Sequence, residues 1–407
     1  MIRLIYNILK SFIYYPFTTY KQGDSGKVVI IINHYFDQDI KAILEANKLL
    51  AKFKLVVLDP SIFQPIRIIY PSSVRKGEIP YMHKSFDKER RWSRKFSSYL
   101  FRWLKFIYDI EIIISPSDIF YWYREFVLIA NKEDIVTIVI DKEGIITPLY
   151  FEDHSKKIKN RYPLISNKII VWSDRQKQFW IKAGTKEDKI QVIGQPRSDI
   201  LLNRKESHSK YEKSILFFTY FEDAYIPDKF KDIISWKKIR EETHQAIKEI
   251  ADKYTEKTFI IKCHPQQQDI DVIENYFSNN KNILVEKGAK NVDKILMKAE
   301  LVIGFQTTAL IEAVLLDKPV VYTCWSEDYE KFKESLLPFH EFDVFVKAQS
   351  KNKLKSIVES FIDNDYEHVV NSDSKHKLLD YYLNNPSGDT SERIINYIAD
   401  LTQEKTF

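Results

Sequence analysis

Residues 301–323 read LVIGFQTTALIEAVLLDKPVVYT. Leu301–Ile303 and Pro319–Thr323 are short, apolar and rich in β-branched residues, the composition of strands covered on both faces. Between them Thr307–Leu316 predicts a helix opened by two hydroxyls, and Asp317-Lys318-Pro319 leads out of it into the second strand. Strand, helix and strand in that order make a parallel pair with a crossover, which fixes an α/β class.

The same grammar extends in both directions. Ser214–Thr219, Thr258–Lys262 and Asn282–Val285 precede this unit in the second half, and Lys27–Ile32, Leu55–Leu58, Ile110–Ile114, Ile135–Ile140, Lys168–Trp172 and Lys189–Ile193 fill the first. A polar stretch, Asn203–Lys213, divides the two series. At 407 residues the chain is too long for one compact core. The expected organisation is two Rossmann-like doubly wound domains, 1–205 and 206–407, facing each other across a cleft. Further helices are expected at Asp37–Ala51 and Trp236–Lys253, with a last one at Ser391–Thr402 packing back across the linker.

With 44% hydrophobic and 29% charged residues, the composition is that of an ordinary globular chain, neither disordered nor a membrane bundle. A net charge of +5 without a long basic run argues against a nucleic-acid partner. Cys263 and Cys324 give no disulfide framework and no zinc spacing, so a cytoplasmic location is expected. Met1–Tyr20 is apolar and aromatic but broken by Arg3, Lys10 and Pro16, too short to span a bilayer. It reads either as a first helix packed on the body or as an interfacial helix, which would make the protein peripheral on the inner face of the cytoplasmic membrane. Residues 85–107 form a second basic and aromatic stretch, read as a solvated helix with one buried aromatic face or as a membrane or acceptor surface.

Chemistry concentrates at the carboxyl ends of strands, where open α/β sheets bind ligands. The Thr258–Lys262 strand runs into Cys263-His264-Pro265, and Leu301–Ile303 runs into Gly304-Phe305-Gln306-Thr307-Thr308. Thr307 and Thr308 open a helix whose backbone N–H groups suit a phosphate, Gly304 admits close approach of backbone, and Glu312 can accept hydrogen bonds from a ribose. Lys262, Pro265 and Gln306 complete this donor-binding set. Glu222, Asp223 and Tyr225, after the first strand of the second half, are placed to touch the donor by position alone.

In the first half Asp141-Lys142-Glu143-Gly144 follows a strand, and a carboxylate there can deprotonate an acceptor hydroxyl, Glu143 as first choice and Asp141 as second. Gly194-Gln195-Pro196-Arg197-Ser198-Asp199 makes a tight turn that aims Gln195 and Arg197 at a phosphate or a sugar carboxylate. Asp37-Gln38-Asp39 has an Asp-x-Asp form but reads as a helix N-terminus, lining the acceptor side with His34. His83, His154, His208, His244 and His340 show no metal-ligand spacing, and no metal is expected.

Taken together, the His264-Pro265 pair, the hydroxyl cluster before a helix containing Glu312-Ala313, and Lys318-Pro319 before the next strand resemble the donor half of bacterial capsule and surface-polysaccharide GT-B glycosyltransferases. Polysialyltransferase-like enzymes and transferases of CMP-activated nonulosonic acids or Kdo share this arrangement. The resemblance implies that His264 contacts the donor phosphate and helps the leaving group depart, and that Glu143, the acid before Gly144, is the general base. Lys142 stands where that family has the first acid of a pair, with Asp141 one place earlier.

The order Gly-x-Pro-Arg-x-Asp at 194–199 is similar to that of capsule and CDP-glycerol transferases. Matching stretches cover 135–200 and 258–325. They imply a nucleotide-sugar substrate, CMP-linked, with no cofactor, and a glycan or lipid-linked glycan acceptor. A CDP-glycerol-type polyol-phosphate transferase, a nucleotide-sugar 2-epimerase and an inactive GT-B scaffold in capsule assembly are the alternatives.

Overall fold

The computed structural model describes residues 26–403 apart from 35, 143, 204–209, 225, 227–229, 231, 265–266, 289–290 and 366–370. The expected Met1–Tyr20 helix therefore lies outside the described residues. Among the described residues twelve strands form two sheets of six. The first contains β1 (Val28–Ile32), β2 (Lys54–Leu58), β3 (Ile110–Ser115), β4 (Val136–Ile140), β5 (Lys168–Val171) and β6 (Ile190–Val192), in the order β2-β1-β3-β4-β5-β6. The second contains β7 (Ser214–Phe218), β8 (Phe259–Lys262), β9 (Ile283–Glu286), β10 (Ala299–Gly304), β11 (Val320–Thr323) and β12 (Val346–Ala348), in the order β12-β11-β10-β7-β8-β9. Every pairing is parallel.

Each sheet is doubly wound, as the unalternating strands require. Along β1, Val28, Ile30 and Ile32 join one core with Phe63, Phe101 and Trp122, while Val29 and Ile31 join another with Ile43, Ile394 and Ile398. The period of two thus splits one apolar run between two layers of helices. The direction of winding reverses between β1 and β3 in the first sheet and between β7 and β10 in the second. Crevices that take ligands open beyond the strand ends at such reversals.

The chain divides into two compact units, but not at 205/206 as the sequence suggests. The first comprises 1–144, 151–200 and 382–407, and the second 145–150 and 201–381. The C-terminal tail therefore belongs to the first unit, where the Thr390–Gln403 helix packs on the Asp37–Leu50 helix. Ile394, Ile395 and Ile398 of that helix are wholly buried, so burial of their apolar surface outweighs the entropy of returning the tail. Asp199 directs where it docks. Its buried carboxylate accepts from Thr390 N at 3.1 Å and from Ser391 N at 2.6 Å, satisfying amides that the first turn of a helix leaves without partners. Gly194 prepares the turn, with a φ of +125° and a site where a Cβ would lie 3.2 Å from Thr390 Cγ2.

Replacing Asp199 with Ala should leave both amides buried without an acceptor, at about 1–3 kcal/mol each. The expected result is a lower urea midpoint and faster proteolysis before residue 390, with Asp199→Asn intermediate. An unchanged midpoint for the Ala variant would show that solvent replaces the carboxylate.

Candidate functional site

In the second unit, the switch point is framed by loops after β7, β8 and β10. Phe221, just beyond β7, packs its ring against that of His264, beyond β8, at 5.7 Å between centroids. His264 sits in a tight turn: its carbonyl accepts from Gln267 N at 2.9 Å and its amide donates to Gln267 Oε1 at 3.1 Å. Its ring is exposed to the loop surface. Crowding by protein and the neighbouring Lys262 hold its pKa below the ordinary histidine value, so at neutral pH the ring is an uncharged hydrogen-bonding group.

Arg240, buried in the first turn of the Lys237–Lys253 helix, fastens two of these loops together. Its guanidinium donates to the Tyr220 carbonyl at 3.2 Å, to Glu222 at 2.8 Å and to Asp269 at 2.6 Å. Burial works to raise the Asp269 pKa, but hydrogen bonds from Arg240 and Gln267 outweigh it and hold the carboxyl below its usual range. Nothing in the sequence pattern marks Arg240, because a cation in a first helical turn runs against the helix dipole and reads as a surface residue. Arg240 and Asp269 also wall a concavity of about 670 Å³ with His244 and Tyr276.

The β10 loop is held from beneath. Phe305 is buried and stacks on Tyr322 at 6.1 Å, with Tyr220, Trp236 and Tyr329 around it. Gly304 lets the following helix pack close, since a Cβ there would lie 2.8 Å from Leu310 Cδ2 and displace that side chain. Thr307 and Thr308 remain half-exposed, as does Glu312 one turn beyond. The helix itself is Ala309–Leu315, shorter than the expected Thr307–Leu316, so the loop amides and hydroxyls offer more to a phosphate than its dipole does.

Two expected donor contacts are turned inward instead. Gln306 is buried, donating to Tyr322 Oη at 2.7 Å and to the Leu337 carbonyl, and accepting from Leu337 N at 2.7 Å. Lys262 is buried and its Nζ donates to the Gly288 carbonyl. Pro265 lies outside the described residues.

In the first unit Asp141 does not project from its strand end. It is buried, and its Oδ2 accepts from Gln176 Nε2 at 2.8 Å and Trp180 Nε1 at 2.7 Å, which anchors the Asp174–Lys182 helix. Glu143 lies outside the described residues. Gly144 is set by contact rather than by a left-handed backbone, since a Cβ would meet the Trp172 ring at 2.1 Å. The Gly194–Asp199 turn also points its side chains at protein. With its amide oriented to satisfy both ends, the buried Gln195 accepts from Arg197 Nε at 3.2 Å and Nη2 at 3.0 Å. Arg197 lies over Trp172 at 4.9 Å and pairs with Asp39 at 3.8 Å. Asp39 stands in the first turn of the Asp37–Leu50 helix, so the Asp-x-Asp stretch is a helix start.

At the β1/β3 switch point a different group assembles. His34 is buried with its ring edge-on to Phe120 at 4.5 Å and to Trp122 at 4.9 Å. Lys142 lies over Phe120 and Arg67 over Trp122, each at 5.7 Å. Burial first, then the charges of Lys142 and Arg67, lower the His34 pKa to about 4. Two cations and a neutral imidazole on an aromatic shelf form an arrangement suited to an anion.

Among the described residues one trio, Glu334, His340 and Glu341, brings potential metal-ligating atoms within 4.8 Å of one another. Its two carboxylates are exposed, and it lies after β11 rather than on the switch-point loops. No helix among the described residues is long and apolar enough to cross a membrane.

Removing the Arg240 staple by Arg240→Met should free the loops after β7 and β8, seen as faster amide exchange at 220–223 and 267–269 with strand protection retained. Unchanged exchange would mean the aromatic packing alone holds them. A second expectation concerns acid. The unfolded chain protonates His34 near 6.5, the folded chain only near 4. Stability that the neutral buried ring maintains above 6.5 is therefore lost as pH falls from 6.5 towards 4. His34→Asn should flatten that limb in urea titrations of the first unit, and an identical slope would place the acid sensitivity elsewhere.

Compared with known proteins, the chain matches the family model described as CDP-Glycerol:Poly(glycerophosphate) glycerophosphotransferase over residues 149–400. No curated protein matches it significantly in sequence. Its fold is similar to that of a putative UDP-N-acetylglucosamine 2-epimerase from Listeria monocytogenes, with TM-score 0.59 and 14% identity, covering 93% of this chain and 97% of that one. A UDP-GlcNAc 2-epimerase from Neisseria meningitidis, solved bound to UDP-GlcNAc, gives TM-score 0.53 and 14% identity over 92% and 100% of the two chains. A glycosyltransferase from Rickettsia africae gives 0.52 and 10% over 94% and 99%. At such identities the likeness establishes the GT-B fold alone. The family match runs through the loops after β7, β8 and β10 and over more than half the sequence, and by it the chain belongs to the CDP-glycerol:poly(glycerophosphate) glycerophosphotransferase family.

Proposed function

We propose that this protein transfers a polyol phosphate from a cytidine-diphosphate-linked donor to a hydroxyl on an anionic surface-polymer acceptor. The observation that carries this reading is the family match over 149–400, which includes the donor loops with His264, Thr307, Thr308 and Glu312. In such a transfer the acceptor oxygen attacks the distal phosphorus, the phosphoanhydride bond breaks, and CMP leaves with the bonding electrons. His264, uncharged before the donor arrives, donates a hydrogen bond to the phosphates. Thr307 and Thr308 supply hydroxyls and amides beside it, and Glu312 receives the ribose. No divalent metal is needed in this scheme. Glu143 takes the proton of the attacking hydroxyl, a role that Asp141, committed to Gln176 and Trp180, is poorly placed to share. On the acceptor side, Arg67, Lys142 and His34 meet a phosphate of the polymer.

A CMP-activated nonulosonic acid is the second reading. It is favoured by the His264-Pro265 pair with the hydroxyl loop and also releases CMP. A nucleotide-sugar 2-epimerase would use the same fold without an acceptor, as the neighbours named for that activity illustrate.

Purified protein would be incubated with CDP-glycerol, a CMP-nonulosonic acid or UDP-GlcNAc, with and without a polyol-phosphate acceptor and EDTA. The expected outcome is acceptor-dependent CMP release from CDP-glycerol that EDTA does not abolish. His264→Ala should lower it about ten- to a hundredfold, the worth of one charge-assisted contact of about 1.5–3 kcal/mol. Glu143→Gln should lower it by about a hundred- to ten-thousandfold. Conversion of UDP-GlcNAc without acceptor, or release confined to the nonulosonic donor, would overturn the polyol-phosphate assignment.

A further inference from the structure

The Asp87–Ile107 helix presents two opposite faces. Its inner face, Phe96, Leu100, Phe101 and Leu104, is buried in the first unit's core. Its outer face carries Lys88, Arg91, Lys95, Tyr99, Arg102 and Phe106, all exposed. At about 100° per residue these six fall within an arc of about 80°, in a stripe about 27 Å long. The helix has only two acidic residues, Asp87 and Glu89, and both project off that arc.

Two features separate this face from an ordinary solvated one. Other cations of the helix are neutralised, Arg90 by Asp87, Arg94 by Glu125 and Lys105 by Glu133, whereas among the described residues Lys88, Arg91, Lys95 and Arg102 make no ion pair. Tyr99 and Phe106 are also 66% and 89% exposed on the same line, so two large aromatic rings project from one face rather than singly. Uncompensated cations alternating with projecting aromatic rings match a surface that is negative at its face and apolar just beneath, which is a bilayer containing anionic lipid.

We infer that this helix face is the surface by which the protein rests on an anionic membrane, cations against the headgroups and Tyr99 and Phe106 dipping below them. The inference does not depend on which donor the protein uses. It also places the membrane contact on a helix of the body.

The full-length protein would be sedimented with vesicles of phosphatidylcholine alone and of phosphatidylcholine with phosphatidylglycerol. Wild type should bind the anionic vesicles, bind the neutral ones weakly, and be released only in part by high salt. A variant combining Lys88→Gln, Arg91→Gln, Lys95→Gln and Arg102→Gln should lose about tenfold or more in partitioning, because each cation near such a surface contributes measurably. Tyr99→Ser with Phe106→Ser should make the remaining binding fully salt-reversible. Both variants change only exposed positions, and melting temperatures equal to wild type would verify their fold. Should either lose its fold, Lys95→Gln alone should still weaken binding. Equal binding of wild type and the quadruple variant, or no preference of wild type for anionic vesicles, would overturn the inference.

Discussion

The Asp199 carboxylate joins parts of the chain 191 and 192 positions apart, and the first unit is built around that closure. Burial of Ile394, Ile395 and Ile398 is the larger energy, but it is non-directional and would accept many placements of an apolar helix. Two charge-assisted hydrogen bonds to the first amides of the helix select one placement. The same turn fixes Arg197 against Trp172 and Asp39, so one tight stretch of backbone secures the last helix, the first described helix and the end of β5. Pro196 reduces the freedom of that turn before any of these contacts form, and Gly194 supplies its positive φ without strain.

Buried charge is used in two ways at the two switch points. Around Arg240 it is balanced: Glu222, Asp269 and a carbonyl surround the guanidinium, so its desolvation is offset and it serves as a staple. Around His34 like charges converge instead. Lys142 and Arg67 depress an imidazole that burial already disfavours as a cation. Such a cluster is held together by the aromatic rings beneath it, and its electrostatic cost falls when an anion arrives. The first arrangement gives rigidity to the loops after β7 and β8, and the second concentrates positive charge beside a neutral imidazole.

How much of this was legible depended on the length scale of the signal. The strands were readable because parallel strands covered on both faces must be continuous runs of residues such as Ile30, Val139 and Ile260. β12, with half-buried Val346 and Lys347 at a sheet edge, carries no such run and escaped notice. The candidate donor motifs stand out because His264-Pro265 and Thr307-Thr308 are contiguous in sequence. Roles fixed by long-range partners do not. Gln306, Lys262, Arg197 and Asp141 all looked like ligand-facing polar residues at strand ends, yet each is committed to a partner that local sequence does not reveal, Leu337, Gly288, Asp39 and Trp180, while Gln195 is spent inside its own turn on Arg197 and Ser198. A polar residue at a strand end is as useful for pinning the next helix as for holding a substrate, and only the distant partner distinguishes the two. The tail was half legible, its helix clear from periodicity but its unit set by Asp199.

This also explains why family and fold speak unequally about function. The family match begins at 149, so it includes the loops after β7, β8 and β10 that carry the proposed donor contacts, whether the reaction is an epimerisation or a transfer. What separates those reactions is whether a second substrate is offered a place. In this chain the cationic aromatic shelf at the β1/β3 reversal, proposed for such a substrate, and the basic outer face of the Asp87–Ile107 helix, inferred to meet the membrane, both lie before residue 149. The same segment resembled known transferases only in general form. A sugar epimerase has no acceptor to seat on a phosphate-seeking shelf, whereas a transferase that extends an anionic polymer beside a membrane has use for both. The composition of this first segment therefore weighs on the transferase side, independently of the donor half.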